Sequence, residues 1–144
     1  MKLLESLGLR KPPPADPIFR FRKFYGFQSP YWEAEAEFAP VGRVVEVLVS
    51  CPRSGANPMH HSFYRELEAR YAEVLAAAHR ALSAEPSPPG HATPTAASLN
   101  LVCITLSEAP PTLEWELSFE DPDGIHYSVA FQGWSPAQVE VSPC

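Results

Sequence analysis

Alternation of apolar and polar residues is clearest from Tyr31 to Phe38, where Trp32, Ala34, Ala36 and Phe38 interleave with Glu33, Glu35 and Glu37. A period of two marks a strand with one face in a core and the other in water. Pro40, Val41 and Gly42 supply a turn, and the β-branched run Val44 to Ser50 returns, so residues 31–50 predict a hairpin. Before it, Ile18 to Tyr25 is a less regular strand candidate, with Phe19 and Phe21 between Arg20 and Arg22. Leu113, Trp115, Leu117 and Phe119 alternate with Glu114, Glu116, Ser118 and Glu120, and Asp121-Pro-Asp-Gly124 is a turn signal. Ile125, Tyr127, Val129 and Phe131 continue as the return strand, and Val139 to Val141 predicts a short edge. Leu99 to Leu106 is apolar at nearly every position, which suits a central strand.

The period changes between the second and third of these groups. Phe63, Leu67, Tyr71, Val74, Ala78 and Leu82 recur every three or four residues, one stripe of a helix. Asn57 followed by Pro58 predicts its start, since Asn caps well and Pro is tolerated in the first turn. A helix from there to about Ser83 would run roughly 36 Å, enough to cross a small sheet. The expected fold is therefore α+β: a single antiparallel sheet of about five to seven strands with one long helix packed on one face.

Proline, 17 residues in 144, clusters where the periodicities stop. Lys11-Pro-Pro-Pro-Ala-Asp-Pro17 predicts an extended linker, because proline fixes φ and restricts the residue before it. Residues 1–9 carry Leu3, Leu4 and Leu7 at a spacing that suits two helical turns. The predicted organisation is an N-terminal segment and proline-rich linker over 1–17 and one α+β domain over 18–144. Residues 84–98 have no periodicity and predict a long surface loop.

Charge adds a contrast. The net charge is −6, yet residues 1–23 carry a local balance of +4 and the other 121 residues a balance of −10. So acidic a body repels phosphate backbones and disfavours nucleic acid as a partner. Placing the alternating strands side by side collects Glu33, Glu35, Glu37, Glu114, Glu116 and Glu120 on the face away from the helix, with Glu46 in ambiguous register. Arg20 and Arg22, on the neighbouring strand, are placed to relieve part of the repulsion by cross-strand pairing. One reading of the face is thus a solvated, partly paired charge surface; the other is an acidic docking surface for a basic protein.

Candidate chemistry is sparse. Cys51, Cys103 and Cys144 are odd in number and widely spaced, which indicates neither a disulfide framework nor a zinc site and suits a reducing, cytoplasmic setting. Cys103 reads as a buried small hydrophobe. His60 and His61 are adjacent, so on a helix their side chains diverge, and both read as surface residues at a helix start. A thiol–imidazole pair between Cys51 and either histidine has no nucleophile signature around it. The glycines are isolated, with no phosphate-cradling loop, and no cofactor is indicated. Trp32, Trp115, Phe119, Tyr127 and Phe131 fall on apolar-face positions and predict core, whereas Trp134, beside a tight turn, is the exposed exception. No apolar run approaches a membrane span, and Glu5 and Ser6 interrupt the N-terminal leucines before they make a signal-peptide core.

The segments Tyr31-Trp-Glu-Ala, Phe38-Ala-Pro with its following β-branched strand, and His61-Ser-Phe-Tyr-Arg-Glu-Leu-Glu-Ala-Arg-Tyr71 resemble a family of small uncharacterised bacterial proteins. The likeness runs in order of elements over about residues 18–131, and residues 1–11 are similar to the leucine-rich, basic start of many members. It implies no catalytic residues. A similar layout occurs among immunity proteins of polymorphic toxin systems, which implies binding and blocking of a toxin. The leading expectation is thus a non-catalytic protein-binding module using the acidic sheet face or an exposed strand edge. The alternative is a small enzyme or small-ligand-binding protein with a pocket between helix and sheet near residues 51–61. A third is an oligomeric component pairing through sheet edges.

Overall fold

The computed structural model describes residues 11–87 and 89–142. The predicted helix over residues 1–9, and Cys144, lie outside the described residues. Seven strands form one sheet: β1 (Arg20–Tyr25), β2 (Tyr31–Phe38), β3 (Arg43–Ser50), β4 (Asn100–Leu106), β5 (Trp115–Glu120), β6 (His126–Gln132) and β7 (Ser135–Ser142), in that spatial order. One long helix, α1 (Pro58–Ser83), connects β3 to β4 and packs on one face. The expected α+β fold is present.

One departure is topological. Five of the six strand pairs are antiparallel, and β3 with β4 is parallel, Glu46 standing beside Cys103 and Val49 beside Leu106. Parallel neighbours cannot be joined by a tight turn, and α1 is the crossover they require. The hairpin between β2 and β3 closes through a short 3-10 turn, Ala39–Val41. It ends on Gly42 at φ 67°, a left-handed conformation that favours glycine.

Helix α1 starts where expected, but its cap is more elaborate. Asn57 Oδ1 accepts the backbone N–H groups of Met59 (2.9 Å) and His60 (3.1 Å), while His60 Nδ1 accepts the N–H of Asn57 (3.1 Å). The other ring nitrogen, Nε2, donates to the carbonyl of Ser107 at 2.9 Å. His60 is therefore a fully buried neutral histidine tying the helix start to the end of β4, not the surface residue its position predicts. Burial pushes its pKa down.

The predicted stripe of α1 is buried to the last residue, and Tyr64 joins it, donating its hydroxyl to the carbonyl of Glu37 at 2.7 Å. Phe38 packs edge-on against Tyr64 and Tyr71. Trp115 stacks on Phe131 with centroids 4.2 Å apart and donates its indole N–H to the carbonyl of Gly133 at 2.7 Å. Trp134 is half-buried rather than exposed. The turn folds it back between Phe63, 5.1 Å away, and the Arg70 guanidinium, 4.0 Å above its ring.

Boundaries shift at the less periodic strands. Leu113 and Glu114 precede β5, and Leu113 is exposed. The predicted short edge at Val139–Val141 is an eight-residue strand paired along the whole of β6.

Candidate functional site: the open face of the sheet

Alternation sends Trp32, Val47, Ile104, Leu117 and Val129 under α1 and their neighbours to the opposite face, which no element among the described residues covers. Strand register then assembles that open face. One row crosses all seven strands: Arg20, Glu35, Glu46, Cys103, Ser118, Ser128 and Glu140. The next row runs Lys23, Glu33, Leu48, Thr105, Glu116, Ala130 and Gln138. Glu120 lies at the other end of β5, between Asn100 and His126. The face is thus basic at β1, acidic over β2 and β3, short in side chain at its centre, and acidic again at β5 and β7.

Of the six glutamates expected on this face, Glu33, Glu35, Glu116 and Glu120 hold it together as half-buried strand residues. Glu37 is exposed at the end of β2, and Glu114 is exposed ahead of β5, so neither belongs to the central rows. Two acids complete the face. Glu46 faces it directly opposite Glu35, and Glu140 stands opposite Ser128.

The charges are unequally neutralised. Glu35 receives Arg20 at 3.2 Å and Arg22 at 3.5 Å, the relief anticipated from the sequence. Glu33 accepts the Tyr25 hydroxyl at 3.0 Å. Among the described residues, no cationic side chain lies within 4.0 Å of Glu46, Glu116, Glu120 or Glu140. Their field reaches the middle of the face. The Cys103 thiol is pushed up to about 11, first by burial, then by Glu46, with Glu116 adding to it. Cys103 was expected in the core. A register shift between Leu101 and Cys103 turns it to the open face instead, half-buried. A cleft of about 530 Å³ overlies β1 to β3 on this side, lined by Arg22, Lys23, Glu33, Glu35, Val44 and Glu46 among others.

The junction around residues 51–61 is built differently. Cys51 is buried, and its thiol is pushed up to about 11 by burial and by Asp16. His61 Nε2 lies 2.7 Å from Asp16 Oδ2, while Asp16 Oδ1 accepts the N–H groups of Ile18 and Phe19 at 2.9 and 2.8 Å. This arrangement clamps the proline-rich segment to the helix start. A reactive cysteine needs a lowered pKa, so this thiol lacks the character of a nucleophile. Among the described residues, no group of three or more His, Cys, Asp or Glu side chains is placed to hold a metal ion, and no helix is long and apolar enough to cross a membrane.

Another cleft, of about 610 Å³, opens between the β2–β3 turn and α1. Three of the four charged side chains that line it serve the fold. Arg65 pairs with Glu68 at 2.8 Å, Glu68 accepts the Ala39 N–H at 3.0 Å, and Arg43 donates to Asn100 and to the carbonyl of Leu101.

No protein-family model, no curated protein and no solved structure matches this chain.

Proposed function

We propose that this chain is a non-catalytic protein-binding module whose open sheet face docks a basic partner protein. One observation carries the reading: among the described residues, Glu46, Glu116, Glu120 and Glu140 stand on one uncovered face with no cationic side chain within 4.0 Å, around a centre of Cys103, Thr105, Ser118 and Ser128. Glu46 stands directly opposite Glu35, so keeping it unpaired costs stability that a cationic partner restores. Short central side chains leave room for lysine or arginine stems, whose methylenes pack on such a floor while their charges reach the acids. The Cys51 and Cys103 thiols being held protonated also favours binding over nucleophilic catalysis. Blocking of a basic toxin in the immunity manner is the specific form of this role that the layout suggests.

Glu46 and Glu116 are the residues to reverse, because Glu35 already has two arginines. The Glu46→Lys/Glu116→Lys pair should fold normally and capture a basic partner from low-salt lysate on the order of tenfold less efficiently, mainly through slower association. Wild-type protein should retain one basic protein at stoichiometric yield and release it with salt. Equal capture by wild type and the double variant, verified with the purified partner by surface plasmon resonance, refutes the reading.

A further inference from the structure

The two edges of the sheet are not equally protected. An edge strand offers unpaired backbone donors and acceptors, and proteins block it with cations, bulges and prolines. Strand β1 has all three: Arg20, Arg22 and Lys23 within six residues, a register shift between Phe21 and Lys23, and the proline-rich segment leading into it. Strand β7 is eight residues long, carries no cation, and has Glu140 as its one charge. Its proline, Pro136, and its one irregularity, opposite Ala130 and Phe131, both fall at its start.

We propose that β7 is a self-association edge, pairing antiparallel with β7 of a second copy of this chain across a two-fold axis at Val139. The residues of the strand favour that partner and that register. Directly opposed residues share a face, so a two-fold pairing must centre on a residue. Centring on Val139 sets Val139 against itself, Ala137 against Val141, and Gln138 against Glu140 of the other copy. Valine meets valine on the helix side, and on the open side an amide meets a carboxylate it can hydrogen-bond. Centring on Glu140 would oppose two carboxylates, which is unfavourable. A cleft of about 360 Å³ between the end of α1 and the edge, lined by Ala81, Glu85, Pro136, Ala137, Gln138 and Val139, leaves space beside Ala137 for the incoming Val141. The resulting fourteen-stranded sheet would present both open faces on the same side. This inference stands independently of the acidic-face reading.

Sedimentation equilibrium on the full chain, from about 1 μM to 1 mM at about 0.15 M salt to screen the net charge, tests it. Wild type should show a concentration-dependent monomer–dimer equilibrium. Gln138→Lys places a cation opposite Glu140 twice per dimer and should tighten the equilibrium roughly fivefold, while Gln138→Glu opposes like charges twice and should loosen it by a similar factor. Gln138 is exposed, so neither change disturbs the fold. The same charge changes at exposed Ser62, on α1, control for net charge and should have less effect. A wild type that stays monomeric throughout overturns the proposal, and leaves the edge to a different strand if to any. A dimer that responds equally at Gln138 and Ser62 overturns it too, placing the contact elsewhere.

Discussion

The two faces of the sheet are made from the same strands by alternation, yet they follow opposite rules. Under α1, Trp115 touches Phe131, Phe63 and Trp134 and hands its indole N–H to Gly133. One residue along, Glu116 lies on the open face with no cationic side chain within 4.0 Å among the described residues. The covered face gains free energy from each side chain it buries. The open face keeps acids in water, and on the reading proposed above they serve binding. On that reading, stability and binding are separated by the thickness of a pleat.

The sharpest test of that separation is a pair of alanines on adjacent residues. Trp115→Ala should cost about 3–5 kcal/mol through lost burial and the cavity left behind. Glu116→Ala should change stability by no more than about 0.5 kcal/mol, in either direction. Urea denaturation of both variants measures the difference. A large loss at Glu116 would mean that the open face is structural after all.

How far the sequence showed this division depends on how local each feature is. Trp32 to Phe38 and Trp115 to Phe119 declare their faces by alternation alone, and Asn57-Pro58 with the Phe63-to-Leu82 stripe declares α1. Features set by distant residues stayed hidden. The parallel β3–β4 pair depends on which strand α1 delivers beside β3. His60 is buried because Ser107, 47 residues away, receives its Nε2 proton. Cys103 turned outward through a register shift that a continuous apolar run conceals, and Glu140 escaped notice because the irregularity at Ala137 masks the alternation of β7.

The helix cap sits where the covered face is closed, and it should weigh less than the core. Asn57→Ala removes the acceptor for two backbone N–H groups and should cost about 1 kcal/mol by the same denaturation assay. A change near zero would mean that His60 alone holds the helix start.

Burial of neutral His60 gives the covered face a pH dependence. Its pKa lies below the ordinary 6.5, so the unfolded chain binds the proton more tightly than the native one. The stability held at higher pH should therefore fall as the pH drops below about 6.5 toward the native-state pKa. The Asp121 carboxyl gives a second, lower window. Burial opposes its ionisation, but hydrogen bonds from Ile125, Tyr127 and Asp123 prevail and hold it below 3.8, so its contribution is lost under more acid conditions. Subtracting the stability–pH profile of His60→Gln from that of wild type isolates the histidine. A difference that does not change between pH 7 and 5 would show that His60 titrates alike in both states.

The smallest effect is the most informative about the open face. Glu46 stands directly across from Glu35 and carries no cation among the described residues. Glu46→Lys converts a like-charge pair into an opposite one and should raise stability by about 0.5 kcal/mol, more at low salt than at high. Thermal melts at two ionic strengths would detect it. The same substitution is expected to weaken capture of a basic partner, so one residue should move stability and binding in opposite directions. If Glu46→Lys left the melting temperature unchanged, the repulsion would be relieved by solvent alone. Glu46 would then carry no stability sacrifice that binding must explain.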